Sequence, residues 1–382
     1  MRAVWLGAMR LSAANRLRGA TPAARAPGRT APRPQLALPL PDAGPPYRAA
    51  ALPILDERLR GTKFVALGAR SVLNSPQQTG VDFWSLNPYI GCEFGCTYCY
   101  ARYAHRYAVE RARDAGRLSE AEFREFRGPG GWEAFERRVF VKQPILAALE
   151  GDLRRYVRSA APAPLVIGTA TDPYQPAERR FRLTRQVLER LARYEGLNLG
   201  IITKSPLITR DIELLRRLDE RHDLEVYVSL ITLDVAVIRQ VEARSPMPAV
   251  RLRALARLTA AGINAGLIMA PVLPGITDDV PHLEALFQAA REAGARFVHA
   301  GPLRLYAAVR ERFFPVLEAN FPHLADRYRA AYKHRSSAPR DYARALARRV
   351  KRLQARFGFP VNEGMVDRYA RRRPALQGDL AL

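Results

Sequence analysis

Three cysteines, Cys92, Cys96 and Cys99, lie within eight residues, and the 382-residue chain contains no others. An odd number of clustered thiols cannot form a disulfide framework, so the pattern indicates a reducing compartment and a bound metal or cluster. Three thiolates can bind three irons of a four-iron cluster and leave the fourth iron open. An iron with a free coordination position can chelate the amino and carboxylate groups of S-adenosylmethionine (SAM) and donate an electron to its sulfonium. The spacing C-x3-C-x2-C therefore favours a [4Fe-4S] cluster with one iron open to a ligand of this kind.

A structural zinc site is the alternative interpretation of the same cysteines. It needs four protein ligands, and His105 would supply the fourth in the spacing C-x3-C-x2-C-x5-H. That spacing matches no common zinc module, and a zinc knuckle is not expected after a strand of a βα array. The cluster is therefore the favoured hypothesis.

Short apolar segments alternate with longer amphipathic segments from Trp84 onward, a pattern typical of βα units and a parallel sheet. The pattern predicts six strands, at Phe83–Ile90, Leu165–Thr171, Leu197–Thr203, Leu224–Ile231, Ile263–Pro271 and Arg296–Leu303. Periodicity alone allows either a flat doubly wound sheet or a curved partial barrel. In both architectures ligands bind at the carboxyl ends of the strands.

Polar residues follow these strands, at the edge where ligands are expected. Lys204 follows the third strand, Arg304 follows the sixth, and Asp172 begins a loop after the second strand that also contains Gln175 and Glu178. The side chains of that loop could bind the amino group or ribose of SAM, or substrate. The alternative is that they cap the helix that follows. Arg304 is a candidate anion anchor in the mouth of a barrel.

Several sequence blocks accompany the cysteines at these strand ends. An aromatic residue, Tyr98, directly precedes the third cysteine. The other blocks are Asn87-Pro-Tyr-Ile-Gly-Cys, Cys99-Tyr-Ala-Arg102, Ile167-Gly-Thr-Ala-Thr-Asp-Pro-Tyr-Gln-Pro-Ala-Glu178, Ile202-Thr-Lys-Ser205, Val228-Ser-Leu-Ile-Thr-Leu-Asp234 and Gly301-Pro-Leu-Arg-Leu305. In these blocks, over about residues 50 to 320, the chain resembles the radical SAM superfamily. Within that superfamily it resembles the subgroup related to spore photoproduct lyase, often labelled DNA repair photolyase-like.

The resemblance implies an α/β fold, a partial (β/α)6 TIM-type barrel of parallel strands. It also implies a [4Fe-4S] cluster on Cys92, Cys96 and Cys99, with SAM as the second cofactor. By the same resemblance, Lys204 and Ser229 would bind the methionyl carboxylate of SAM, for which an ammonium and a hydroxyl are suitable donors.

Further residue roles follow from the same resemblance. Tyr98 would contact the adenosyl moiety of SAM, and Thr171 would lie near the cofactor. Tyr100 would relay hydrogen atoms. The catalytic candidates are therefore Tyr98 and Tyr100, and the cofactor-binding candidates are Tyr98, Thr171, Asp172, Lys204 and Ser229.

Thr169 marks a departure from the lyase pattern. The lyase keeps a fourth cysteine as a hydrogen-atom donor in the segment that aligns with Gly168–Asp172, and Thr169 occupies the aligned position here. A hydroxyl hydrogen is far harder to abstract than a thiol hydrogen, and all three cysteines of this chain are assigned to the cluster. Repair of spore photoproduct by the lyase's mechanism is therefore not expected. The resemblance instead implies an enzyme that abstracts hydrogen from an unknown substrate, in lyase- or oxidoreductase-type chemistry.

The formal net charge of +24 is concentrated towards the two ends of the chain. Residues 1–50 carry eight Arg against one acidic residue, and residues 323–382 carry fifteen Lys and Arg against five acidic residues. Basic segments can bind phosphates by displacing counterions, although a basic tail is more often a solvated surface. The charge together with the family resemblance makes nucleic acid the leading substrate hypothesis, and a protein or peptide is the second. A non-catalytic zinc protein that binds nucleic acid through these segments is the alternative function class. The chain has only five Lys, and its excess of Arg is also what a GC-rich genome produces.

The composition predicts three regions. Residues 1–45 are rich in Ala, Pro and Arg and are expected to be a disordered tail, residues 46–306 to form the barrel, and residues 307–382 to form a helical basic extension. The N-terminal segment lacks the apolar stretch of a secretory signal, and the apolar runs are shorter than the roughly 18 to 20 residues that a bilayer requires. We expect a cytoplasmic protein with no membrane partner, whose electron donor is a protein such as flavodoxin or ferredoxin.

Overall fold

The computed structural model describes residues 54–57, 61–127, 133–157 and 163–361. The predicted disordered tail, residues 1–45, lies outside the described residues. In the described ranges the chain forms eleven strands: β1 Ile54–Glu57, β2 Lys63–Gly68, β3 Leu73–Asn74, β4 Trp84–Leu86, β5 Tyr89–Ile90, β6 Arg138–Gln143, β7 Leu165–Ile167, β8 Asn198–Thr203, β9 Asp223–Ser229, β10 Ala265–Val272 and β11 Val298–Pro302.

Helices surround these strands. They are α1 Pro76–Thr79, α2 Arg102–Asp114, α3 Glu120–Arg127, α4 Glu133–Arg137, α5 Ile145–Val157, α6 Glu178–Phe181, α7 Leu183–Leu191, α8 Ile212–Arg221, α9 Val235–Val241, α10 Pro248–Ala260, α11 Val280–Glu292, α12 Ala307–Asn320, α13 Pro322–Tyr332 and α14 Arg340–Arg356. A 3₁₀ helix spans Pro206–Asp211 and precedes α8.

The larger sheet has seven strands in the order β11-β10-β9-β8-β7-β4-β3. Its six strands from β4 to β11 pair in parallel, and β3 adds an antiparallel edge to β4. The strand order follows the chain order without reversal, so successive right-handed crossovers place the helices on the same face of the sheet. This is the arrangement of a barrel, whereas a doubly wound sheet reverses direction at a switch point. The prediction of a partial barrel with six parallel strands is confirmed.

The first two predicted strands are shorter than expected. Residues 83–90 divide into β4 and β5, which belong to different sheets. The break falls at Asn87 and Pro88, because Pro lacks the N–H of a sheet ladder and the Asn87 carboxamide binds the Ala170 N–H at 2.7 Å instead. The second strand ends at Ile167 because Gly168 follows with φ of +92°, which ends the extended run.

A second sheet of four strands, in the order β1-β2-β6-β5, was not predicted from the sequence. In it β2 and β6 are parallel, and β5 is antiparallel to β6. The segment just before β6 holds the start of the cysteine loop, since the Cys92 N–H donates to the Phe135 carbonyl at 2.9 Å. The second sheet therefore supports one side of the site.

The helices α12, α13 and α14 pack onto the barrel. The Tyr328 hydroxyl donates to the Pro274 carbonyl at 2.7 Å, and the Gln354 amide donates to the Val298 carbonyl of β11 at 2.8 Å. On α14 the buried residues are Leu346, Val350, Leu353 and Gln354. The domain boundary at residue 306 remains a prediction, and residues 362–382 lie outside the described part. Among the described residues, no helix is both long enough and apolar enough to span a membrane.

Candidate active site at the carboxyl ends of the strands

The cysteine loop follows β5 and precedes α2, at the carboxyl ends of the parallel strands. Cys92 and Cys96 are buried and Cys99 is partly buried. Two tight turns shape the loop, because the Gly95 N–H donates to the Cys92 carbonyl at 3.3 Å and the Cys99 N–H to the Cys96 carbonyl at 3.2 Å. A further bond, from the Thr97 N–H to the Val241 carbonyl at 2.9 Å, fastens the loop to the end of α9.

Burial governs the ionisation of the three thiols. It raises the pKa of Cys96 to about 12, although Lys204 partly offsets this effect. Burial likewise raises the pKa of Cys92, where the charges of Asp172 and the other two cysteines add to the effect. Burial also raises the pKa of Cys99, and the positive charge of Arg102 partly offsets the increase. Loading of a metal cluster must therefore release protons from these thiols, and the neighbouring cations favour that release.

His105, the fourth ligand of the zinc alternative, has other contacts. Its Nε2 lies 2.7 Å from the Arg138 carbonyl, and its ring packs against Phe135 and Phe140. Burial lowers the pKa of His105 to about 4. The described contacts are those of a neutral core histidine that joins α2 to β6.

The loop suits a cluster in its donor set. Three thiols from one loop can each bind a different iron, and a cubane spaces its thiolates more widely than a single zinc ion does. The Thr97 hydroxyl, between the second and third cysteines, is buried with no hydrogen-bond partner in the described part of the chain, so it is free to donate to an inorganic sulfide. In the same part of the chain, no three His, Cys, Asp or Glu side chains converge on a position for a single metal ion.

The structure brings Lys204 and Ser229 together. Lys204 follows β8, Ser229 ends β9, and the Lys204 ammonium donates to the Ser229 hydroxyl at 3.0 Å. The same ammonium lies 5.9 Å from the centroid of the Tyr98 ring. The ends of β8 and β9 thus place Lys204 and Ser229 beside Tyr98 of the cysteine loop.

Asp172 joins the ends of β7 and β8. Its carboxylate accepts hydrogen bonds from the Thr203 hydroxyl at 2.7 Å, the Lys204 N–H at 2.7 Å and the Tyr174 N–H at 2.9 Å. Burial raises the pKa of Asp172, and these three bonds oppose the increase. The described contacts make Asp172 the residue that fixes the backbone of Lys204, and its role in binding the cofactor remains a prediction.

Thr171 and Gln175 hold the start of the cysteine loop. The Thr171 hydroxyl donates to the Gly91 carbonyl at 2.6 Å, and the Gln175 amide donates to the same carbonyl at 3.1 Å. The Gln175 carbonyl oxygen accepts the Glu93 N–H at 3.0 Å. Both side chains therefore position Cys92 by binding the backbone of Gly91 and Glu93 on either side of it.

Glu178 is fully buried and caps the start of α7. Its carboxylate accepts the Thr184 N–H at 2.9 Å and the Arg185 N–H at 3.1 Å, and it also binds the Tyr89 hydroxyl at 2.5 Å. These contacts agree with the capping interpretation of this loop residue.

A buried ion pair supports the site: Glu242 directly follows α9, and Arg251 lies in α10. Both side chains are fully buried, and the Tyr98 hydroxyl donates to the other oxygen of the same carboxylate. Arg251 also donates to the Ser229 carbonyl at 2.9 Å. Sequence reasoning missed this pair, because neither a glutamate after a helix nor an arginine within one shows in the sequence that it is buried, and the two positions match no motif.

Tyr100 lies on the other side of the loop, towards Thr169. Its hydroxyl donates to the Thr169 carbonyl, and the Thr169 hydroxyl lies 3.0 Å from the Asn87 amide nitrogen. The Tyr100 ring stacks on Tyr103, which is 51% exposed, with a centroid distance of 6.5 Å. Burial raises the pKa of Tyr100, with smaller contributions from the nearby Tyr103 and Cys99, so its hydroxyl is neutral. The residue predicted to replace the lyase's donor cysteine therefore contacts the residue predicted to relay hydrogen atoms.

Comparison with known sequences identifies the class of protein to which the chain belongs. The chain matches the family model of the radical SAM superfamily over residues 86–286. An uncharacterized protein of Mycobacterium tuberculosis is 33% identical over 299 residues, which cover 78% of this chain and 82% of that protein. This chain belongs to the radical SAM superfamily.

Two further comparisons match at lower sequence identity. An uncharacterized protein of Methanocaldococcus jannaschii is 24% identical over 216 residues, 56% of this chain and 70% of that protein. Among solved structures, a spore photoproduct lyase variant with bound AdoMet and dinucleoside spore photoproduct superposes with a TM-score of 0.54, covering 77% of this chain and 79% of the lyase. The two sequences are 16% identical, so the superposition establishes a shared fold.

Proposed function

We propose that this protein is an enzyme that binds a [4Fe-4S] cluster through Cys92, Cys96 and Cys99 and uses it to cleave SAM. When bound and reduced, a cluster held by these three cysteines would supply the electron for splitting SAM into methionine and a 5'-deoxyadenosyl radical, which would abstract hydrogen from the substrate. The observation that carries the proposal is the juxtaposition of three cysteines, two buried and one partly buried, with the Lys204 and Ser229 pair at the carboxyl ends of parallel strands.

The protein's own residues bind and orient in this proposal. Lys204 and Ser229 provide an ammonium and a hydroxyl for the methionyl carboxylate. Tyr98 is held by Glu242 so that its ring contacts the adenosyl moiety. Thr171 and Asp172 act through the backbone of the cysteine loop and of Lys204.

The proposed chemistry differs from the mechanism of spore photoproduct lyase. All three cysteines are assigned to the cluster, and Thr169 cannot replace a thiol as a hydrogen-atom donor. Tyr100, bonded to the Thr169 carbonyl, is the proposed relay for hydrogen atoms. We propose nucleic acid as the substrate class on the basis of the basic terminal segments and the family resemblance, and a protein or peptide as the second candidate. We further propose a cytoplasmic protein with the three-region organisation predicted from the sequence.

The test is anaerobic reconstitution followed by iron, sulfide and zinc analysis and by measurement of 5'-deoxyadenosine formed with dithionite. We expect about four irons and four sulfides per chain, together with SAM cleavage. Each of Cys92→Ala, Cys96→Ala and Cys99→Ala should abolish cleavage, because two thiolates cannot hold a site-differentiated cluster. His105→Gln is the matched control: it should keep the iron if the cluster hypothesis is right and lose bound metal if the site is Cys3His zinc. Stoichiometric zinc in the wild type, or wild-type cleavage by a cysteine variant, would reject the proposal.

A further inference from the structure

Three arginines surround one carboxylate beside the cysteine loop. Glu136, at the end of α4, lies 2.7 Å from the Arg102 guanidinium and 3.5 Å from that of Arg312, and it is also ion-paired with Arg244. Three positive charges thus share one negative charge in this group of four side chains. Burial lowers the pKa of Arg312, and the like charges of Arg102 and Arg244 act in the same direction, against Glu136.

This group is fastened directly to the segment that carries the cysteines. Arg102 is buried, and besides Glu136 it binds the Cys96 carbonyl at 2.8 Å. Gly95, between the first two cysteines, has φ of +61° and lies so close to Arg244 and Glu136 that a Cβ at this position would stand 2.7 Å from a Glu136 oxygen. The guanidinium of Arg244 and the carboxylate of Glu136 therefore pack on the backbone of the cysteine loop.

The same group reaches solvent. The Arg244 side chain is 35% exposed and the Arg312 side chain 21% exposed. Arg239, an exposed residue of α9, donates to the Ala243 carbonyl at 3.3 Å and so lies beside Arg244. We name the surface formed by Arg239, Arg244 and Arg312 the arginine face. Within this face, Arg244 packs directly on the cysteine loop at Gly95, and Arg312 is linked to the loop through Glu136.

We propose that the arginine face is the docking site of an acidic one-electron carrier protein that reduces the cluster. The inference rests on the proposed function, which requires one electron for each cleavage. The carrier is oxidised by one electron and the cluster is reduced by that electron, with no bond made or broken in the transfer. Electron transfer slows steeply with distance, so a carrier must dock where protein separates it least from the buried cysteines.

The chemistry of the arginine face suits such a partner. Electron carriers form small and transient complexes in which complementary charge guides docking more than apolar burial does. A face of guanidinium groups attracts a carrier that presents carboxylates around its redox centre, and the attraction is screened by salt. Arg102 and Glu136 would hold the face in a fixed position relative to the loop.

The experiment measures binding of a purified flavodoxin to the reconstituted enzyme by calorimetry at several salt concentrations. The lead variant is Arg239→Glu. The second variant, Arg244→Gln, removes the charge without reversing it, because a glutamate next to Glu136 would disturb the loop. The matched control is Arg217→Glu on α8, which reverses one exposed charge and so changes the net charge by the same amount as the lead variant. We expect the Kd for flavodoxin to rise about tenfold in Arg239→Glu at low salt, to rise less in Arg244→Gln, and to stay within about twofold in Arg217→Glu.

A second readout separates docking from chemistry. In Arg239→Glu the rate of cluster bleaching by reduced flavodoxin should fall with the affinity, while dithionite-driven formation of 5'-deoxyadenosine is unchanged. For Arg244→Gln, the ratio of flavodoxin-driven to dithionite-driven bleaching is compared with the same ratio in the wild type. Any loss of cluster lowers both rates and therefore cancels in the ratio. Wild-type flavodoxin affinity in both arginine variants, or an equal loss in Arg217→Glu, would overturn the docking proposal. A wild-type enzyme that binds flavodoxin but yields no 5'-deoxyadenosine with dithionite would instead overturn the proposed function.

Discussion

Lys204 and Glu242 face each other in the site, with the lysine Nζ 3.8 Å from the carboxylate Oε1. Burial opposes ionisation of Glu242, but Arg251 and Lys204 overcome it and lower its pKa to about 2. Burial also opposes the charge of Lys204, whereas Glu242 raises the lysine pKa above its ordinary value. Each side chain therefore keeps the other charged, and Lys204 stays an ammonium available to an incoming carboxylate.

We expect Glu242→Gln to destabilise the protein by roughly 3 to 5 kcal/mol, because it leaves the fully buried Arg251 without its anion. The measurement is urea unfolding of the apoprotein. The double variant Glu242→Gln with Arg251→Met should recover a large part of the loss, since it removes both buried charges. Equal stability of wild type and Glu242→Gln would mean that the ion pair does not hold the site.

We expect Lys204→Ala to weaken SAM binding about ten- to hundredfold, the equivalent of a charge-assisted hydrogen bond worth roughly 1.5 to 3 kcal/mol. The absorption spectrum of the cluster should stay unchanged, because Lys204 binds none of the cysteines in the described contacts. Lys63→Ala is the matched control, since Lys63 pairs with Glu125 at the surface of the second sheet. A SAM titration that gives the same Kd for all three proteins would remove Lys204 from the cofactor site.

The parts of the fold that were predicted from sequence are those with a local signal. Alternating apolar segments located six parallel strands, and cysteine spacing located the loop, because both depend on neighbouring residues in the chain. The second sheet was missed because β5 has two residues and pairs with β6 about fifty residues later, a contact with no local periodicity. The Glu242 and Arg251 pair was missed for the same reason: burial of a charged side chain is decided by the tertiary structure around it.

Gly168 should be far more sensitive to substitution than its backbone conformation alone explains. A Cβ at Gly168 would lie 2.5 Å from the Ile202 carbonyl oxygen and 2.6 Å from the Pro173 ring, and φ is +92°. Gly262 has a similar φ of +87° but open space around the same position. We expect Gly262→Ala to cost about 1 to 2 kcal/mol and Gly168→Ala roughly 3 to 5 kcal/mol by urea unfolding, the difference reporting the clash with β8. Equal losses would show that the end of β7 can move away from β8.

Acid should weaken the fold through His105. Its native pKa is about 4 against an ordinary value of 6.5, so between these values the unfolded chain binds a proton that the native chain does not. The free energy of unfolding should therefore fall as the pH drops below 6.5, by about 2 kcal/mol from this residue between pH 7 and pH 5. His105→Gln should flatten that part of the pH dependence, whereas His323→Gln, at an exposed position on α13, should leave it unchanged. A His105→Gln profile parallel to that of the wild type would contradict the assignment.

The basic surface of α14 offers a test of nucleic-acid binding that deletion cannot provide. Removing the helix would also remove Gln354 from its contact with β11, so a loss of binding could reflect unfolding. Arg344, Arg348 and Arg352 are exposed at four-residue intervals, which places them along one face about 6 Å apart.

We expect the joint replacement of these three arginines by Glu to lower the slope of log K against log salt for a labelled oligodeoxynucleotide by up to about three units, close to one unit for each lost phosphate contact. The same reversal at the exposed Arg216, Arg217 and Arg221 of α8 is the control for net charge. If the wild type shows no salt-dependent affinity for DNA or RNA, the arginine content reflects codon usage, and a protein or peptide becomes the leading substrate class.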